Sequence, residues 1–124
     1  MAVLDLTLTT MPADYPALQP AVNTLDITFV AAGADFADGA QFTLTGDEIL
    51  LAWNKNVSLA RTVTITSVLD EYNRSGDITA YSIGAGEIAV FPQFQLAGWK
   101  QSSGKLSLAA SAADVYFAVL KLVG

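Results

Sequence analysis

Along most of this chain, apolar and polar residues alternate with a period of two. That is the spacing of a strand with one face inward, not the 3.6-residue period of a helix. The cleanest run is ARTVTITSV (Ala60–Val68), where Val63 and Ile65 share one face and Thr62, Thr64 and Thr66 form a threonine row on the other. β-Branched residues suit a pleated, half-buried surface, so the run reads as a strand. VLDLTLT (Val3–Thr9) groups Leu4, Leu6 and Leu8 opposite Asp5, Thr7 and Thr9. LDITFVA (Leu25–Ala31) does the same with Leu25, Ile27 and Phe29, and DEILLAWN (Asp47–Asn54) aligns Ile49, Leu51 and Trp53 with Glu48, Leu50, Ala52 and Asn54 behind them. Further strands are expected at Ala40–Thr45, Asp77–Ile83, Glu87–Phe91 and Lys105–Ala110.

Turn residues punctuate these runs: Gly33, Asp38-Gly39, Gly46-Asp47, Ser75-Gly76, Gly84-Ala85-Gly86 and Ser103-Gly104. Short alternating segments separated this often predict an all-β fold, an antiparallel β-sandwich or jelly-roll-like domain of about nine strands. Two regions depart from the pattern. Thr9–Thr24 carries Pro12, Pro16 and Pro20 and is expected to be extended and irregular, either a surface connection or an arm laid across a neighbouring subunit. The tail SAADVYFAVLKL (Ser111–Leu122) opens with a capping-box pattern, Ser111 and Asp114, yet Val115, Tyr116, Phe117 and Val119 favour a strand. It is read as a central strand buried on both sides and entered through a turn at 111–114. At 124 residues the whole chain, 1–124, is expected to form one domain.

Composition narrows the chemistry. The chain has no cysteine and no histidine, so thiolate metal sites, disulfides and the commonest general base are all absent. The net charge is −6, and the six basic residues are scattered singly, so no stripe exists to track a phosphate backbone and direct nucleic-acid binding is not expected. Charged residues make up only 15% of the chain, against about 25% in typical soluble domains, and mean hydropathy is +0.43. Much of the surface is therefore uncharged, which points to oligomer contacts that cover it. The N-terminus MAVLDLTLTT has no positive charge before its apolar residues, so it is a poor signal peptide, and synthesis and retention in the cytoplasm are expected. The longest uncharged stretch, Ile88–Trp99, is broken by Pro92, Gln93, Gln95 and Gly98, and no membrane-spanning helix is expected.

Four constellations could carry chemistry. In DEYNRSGD, Asp70, Glu71, Asn73 and Asp77 are calcium-type oxygen ligands, but their spacing is not that of a calcium loop and Arg74 sits among them. These residue types are also what a turn between two strands requires, with Arg74 able to pair with Asp70 or Asp77. The turn is the preferred reading. Asp35, Asp38, Asp47 and Glu48 could supply a glycosidase-like acid and base, but they sit where solvated turn acids are common. Gly84, Gly86 and Gly98 have no helix behind them to form a phosphate cradle, so Gly84–Gly86 is read as a hairpin turn. The aromatics Trp53, Trp99, Tyr72, Tyr81, Phe91 and Phe94 are assigned to core or interface ahead of a sugar-stacking platform, and Pro92–Trp99 reads as a bulky crossing whose Trp99 plugs one end of the fold. No catalytic, cofactor-binding or metal-ligating residue is assigned.

GDEILLAWN, VTITSVLDEYNRSGDITAYSIGAGEIAVFPQF, AGWKQSSGKLSL and ASAADVYFAVLKL together resemble a family of small proteins from tailed-phage and prophage structural modules, over about residues 46–122. The most telling parts are SGDITAYSIGAGEIAVF and SAADVYFAVLKL. The resemblance implies a non-enzymatic β-sandwich component of the virion, such as a capsid decoration protein, which packs against copies of itself and against a capsid or other virion protein. It implies no cofactor and no catalytic residues, and by analogy a trimer. The alternative is a β-sandwich module that binds carbohydrate or a host surface.

Overall fold

A computed structural model describes residues 3–10, 27–34, 36–69, 72 and 74–122. Ten strands form two five-stranded sheets: β1 (Leu4–Asp5), β2 (Leu8–Thr10), β3 (Val30–Ala31), β4 (Ala40–Thr43), β5 (Glu48–Asn54), β6 (Arg61–Thr66), β7 (Ile78–Ile83), β8 (Ile88–Phe91), β9 (Lys105–Ala110) and β10 (Val115–Lys121). The only α-helix among the described residues is a single turn, α1 (Leu96–Trp99). The fold is all-β, as the period of two predicts.

The first sheet has the order β1-β4-β9-β6-β7; the second runs β2-β10-β5-β8, with β3 also pairing β10. Both sheets are mixed rather than purely antiparallel, because β1 runs parallel to β4 and β2 parallel to β10. The cause lies in Val3–Thr9, expected as one strand. Its first half joins the first sheet and its second half the second, with buried Leu6 at the crossing. This division also turns the expected nine strands into ten. The run Leu25–Ala31 contributes only the short β3, and its first two residues, like residues 11–24 of the proline-containing segment, lie outside the described residues.

Residues from both sheets meet in one hydrophobic cluster. Phe42, Val63, Ile65, Leu106 and Leu108 come from the first sheet; Leu50, Ala52, Phe91, Val115, Phe117 and Val119 come from the second. Val63 and Ile65 face inward and the threonine row outward, as the sequence predicts. The tail is a central strand, β10, flanked by β5 on one side and by β2 and β3 on the other, but it is not buried on both faces as expected: Val115, Phe117 and Val119 are buried, whereas Tyr116 and Leu120 on the other face are half-buried. Its apolar cross-strand contacts outweigh the local capping pattern, and 111–114 forms a turn instead of a helix start.

Two local readings change. In β5 the inward face is Glu48, Leu50, Ala52 and Asn54, all buried, while Ile49, Leu51 and Trp53 face outward and are half-buried. The two inward polar residues are satisfied at the ends of the core. The Glu48 carboxylate accepts hydrogen bonds from the Thr45 amide (2.8 Å), the Thr45 hydroxyl (2.6 Å) and the Gly46 amide (3.1 Å). Asn54 Nδ2 donates to the Leu59 and Ile83 carbonyls, both at 2.9 Å, and its Oδ1 accepts from the Asn56 amide. The second change is at Gly84–Gly86. This is not a hairpin, because β7 pairs β6 in the first sheet while β8 pairs β5 in the second. The turn carries the chain across, held by the Gly84 amide donating to Glu87 Oε1 and the Glu87 amide donating to the Gly84 carbonyl. Gly86 takes φ +76°, a conformation that glycine adopts without strain.

Candidate interaction surface

A strand at the surface of a two-sheet protein normally turns polar side chains outward. The first sheet obeys this. Thr62, Thr64 and Thr66 of β6, Ser107 of β9 and Gln41 and Thr43 of β4 make its outer face. At its far side the Asp5 carboxylate accepts from Gln41 Nε2 at 2.7 Å and Lys105 Nζ at 3.1 Å, and these hydrogen bonds, Gln41 first, hold its pKa below the ordinary value.

The second sheet does not. Its outer face carries Ile49, Leu51 and Trp53 on β5, Ile88 and Val90 on β8, and Tyr116, Ala118 and Leu120 on β10. Register sets Leu51 between Val90 and Ala118, and Trp53 between Ile88 and Tyr116. Charge appears only at the margins. At one end Lys55 lies over the rings of Trp53 (5.0 Å) and Tyr116 (4.4 Å). Phe29 meets Trp53 edge-on at 5.3 Å. The centre of the face is thus uncharged, and it is most open at β8, where Ile88 is 50% and Val90 61% exposed.

Those two residues were legible as strand but not as surface. EIAVF is apolar on both faces, and only the strand order shows that β8 is an edge, with no strand paired beyond it among the described residues. The two longest edge strands also differ. β7 is irregular: its register slips between Val63 and Ile65, and Ala80 adopts φ +52°. Bulges and strain of this kind blunt an edge against pairing. β8 is regular over its four residues.

The residues singled out in the sequence do not converge. Asp77 accepts from the Ser67 amide (2.7 Å) and the Ser67 hydroxyl (2.8 Å), which close the base of the β6–β7 loop and lower its pKa. Asp70, Glu71, Asn73 and Asp35 lie outside the described residues. Among the described residues no group of three or more metal-ligating side chains is found. Glu48 is committed to the Thr45–Gly46 turn. Its burial works to raise its pKa, but the hydrogen bonds from Thr45, Gly46 and its own amide outweigh that and hold it below the ordinary glutamate value. Arg61 grips Asp114 through Nε at 2.9 Å and Nη2 at 3.2 Å, and Asn56 Nδ2 donates to the same carboxylate at 2.9 Å. Those bonds, the one from Arg61 foremost, lower the Asp114 pKa and tie two strand-ending loops together.

Trp99 packs edge-on against buried Phe94 at 5.1 Å and lies against the core, where Pro92–Trp99 crosses from the second sheet to the first. Beside it an open hollow of about 410 Å³ is lined by Ser67, Val68, Arg74, Ser75, Gly76, Gly98 and Trp99. Ser67 and Ser75 are already engaged within the loop, and among the described residues Trp99 is the one aromatic side chain in the lining of the hollow. No helix among the described residues is long and apolar enough to cross a membrane. Compared with protein-family models, with curated proteins and with solved structures, the chain matches none.

Proposed function

We propose that this protein is a non-enzymatic structural component of a tailed-phage or prophage particle, and that it acts by assembly through the outer face of its second sheet. The observation that carries the assembly part is that face: uncharged at its centre, apolar across three strands and open at β8, on a chain whose other sheet is polar outside. Adjacent exposed apolar side chains such as Ile88 and Val90, continuous with an uncharged face, support an interaction site. The particle itself rests on the resemblance of residues 46–122, within which β5, β8 and β10 supply the face. We further propose a β-sandwich of jelly-roll-like kind. Two sheets around a shared core support it, as do chain crossings between sheets at 6–7, 44–47, 84–87 and 92–104. Partners are copies of the chain and a capsid or other virion protein; the resemblance implies a trimer, and location in the virion after synthesis in the host cytoplasm.

The test is co-sedimentation of the chain with purified particles, wild type against Val90→Lys. Binding lost in the folded variant supports the reading; particles that never carry the chain overturn it. The competing reading, a module for carbohydrate or a host surface, has the hollow beside Trp99 in its favour. Glycan binding abolished by Trp99→Ala in a folded protein would establish it instead.

A further inference from the structure

We infer that β8 pairs antiparallel with β8 of a second copy, about a twofold axis through Ala89, to make one continuous sheet from the two second sheets. This rests on the assembly reading above and replaces the trimer that the resemblance implies with a twofold pair. The phase of the ladder fixes which main-chain groups are available. The Asn54 amide donates to the Glu87 carbonyl, so position 87 faces β5, and alternation makes 89 and 91 the next residues bonded to it. Ile88 and Val90 therefore turn their N–H and C=O groups to the open edge. They are also the two residues whose side chains are most exposed on the outer face.

A second copy answers this edge in register. With Ala89 opposite its own counterpart, Ile88 meets the other copy's Val90 and Val90 meets its Ile88. Each is a hydrogen-bonded pair, and together they form four main-chain hydrogen bonds. The two small Ala89 side chains then fall at the closely spaced, non-bonded position, where methyl groups fit. A twofold axis normal to the sheet keeps both apolar faces on the same side. Charge favours this edge as well. Two chains of net charge −6 repel, but Ile88–Phe91 carries no charge, and the flanking Glu87 turns its carboxylate back onto the Gly84 amide.

Area points the same way. Four strands about 4.8 Å apart and seven residues of about 3.3 Å cover at most roughly 440 Å² in projection. Two such faces stacked together bury less than the ~1,000 Å² of a specific interface. Edge pairing adds directional bonds, and it doubles the apolar face left to meet a further partner.

Amide hydrogen exchange on the full chain over a concentration series, with solution mass on the same samples, tests the inference. Expected is a dimer in which the Ile88 and Val90 amides slow by at least about tenfold as it forms, with the β7 edge unchanged. Val90→Pro removes an outward N–H that the chain's own ladder does not use, and should give a folded monomer. Val90→Lys, which keeps the amide, serves if the proline variant fails to fold. An oligomer whose Ile88 and Val90 amides keep the monomer rate overturns the pairing and leaves the assembly reading standing. A trimer also overturns it, because one edge cannot pair with itself about a threefold axis. A strict monomer overturns it too, and co-sedimentation with particles then decides the assembly reading separately.

Discussion

The outer faces of the two sheets are built from strands of the same kind and end in opposite states. On the first sheet every second residue of β6 is a threonine facing water, opposite Val63 and Ile65 in the core. On β5 of the second sheet the order is inverted at the ends: Glu48 and Asn54 point inward and are fully buried, while Ile49, Leu51 and Trp53 point out. An inward carboxylate is tolerated only because three hydrogen bonds from Thr45 and Gly46 replace its water. The outward apolar residues of β5 and β10 are half-buried or, at Ala118, buried, and only Ile88 and Val90 of β8 are exposed. The first sheet is finished by solvent; for the second we propose a partner.

Charge placed on the two faces of the second sheet should break this comparison most sharply. Phe117→Asp puts a carboxylate among fully buried side chains, an effect of about 4 kcal/mol or more, and should leave no cooperative thermal transition. Val63→Asp, equally buried in the first sheet, should do the same. Val90→Asp, on the open face, should shift monomer stability by no more than about 0.5 kcal/mol and act on association alone. A folded Phe117→Asp protein with an unchanged melting point would mean that the inward phase of β10 is wrong.

The inward acid gives the next effect. Glu48→Gln keeps the shape but loses charge-assisted bonds, and should cost about 1–3 kcal/mol in chemical denaturation. The folded pKa of Glu48 lies below its ordinary 4.5. Its contribution is therefore complete above about pH 4.5 and fades as pH falls through the lower folded value. Wild type should lose its advantage over Glu48→Gln across that acid range. A gap that stays constant with pH would show that the carboxylate is not held as described.

The edges give a smaller effect. Ala80, at φ +52° in β7, stands where a left-handed residue costs about 1–2 kcal/mol, part of which glycine returns as backbone entropy. Ala80→Gly should raise stability by up to about 1 kcal/mol without changing oligomer mass. A change in mass would show that β7, not β8, is the pairing edge. Smallest of all, Asp70→Asn with Asp77→Asn should leave the fold intact. A melting point that becomes calcium-dependent only in wild type would return the loop to the status of a cation site.

How much of this was legible in the sequence follows from the same contrast. In β6 the two faces differ chemically, so the phase could be read from Val63, Ile65 and the threonines alone. In β5, β8 and β10 both faces are apolar, and alternation then identifies a strand without saying which side is inside. Ile49, Leu51 and Trp53 look like a core face until strand order and burial place Leu50 and Ala52 there. Which sheet a strand joins is likewise invisible locally: Gly84–Gly86 has the residues of a tight turn whether it closes a hairpin or crosses between sheets. The split of Val3–Thr9 between two sheets is set by partners β4 and β10, far along the chain. The exposed edge at Ile88 and Val90 depends on there being no strand beyond β8 among the described residues, which only the assembled topology reveals.

The most direct test of the outer face as an assembly surface is solution mass by light scattering coupled to size exclusion, on wild type and Val90→Lys side by side. The account predicts a discrete multiple of the 13.0 kDa chain for wild type and a folded single chain for the variant. A wild type that elutes as one 13.0 kDa chain at every concentration, indistinguishable from the variant, would contradict self-association through this face.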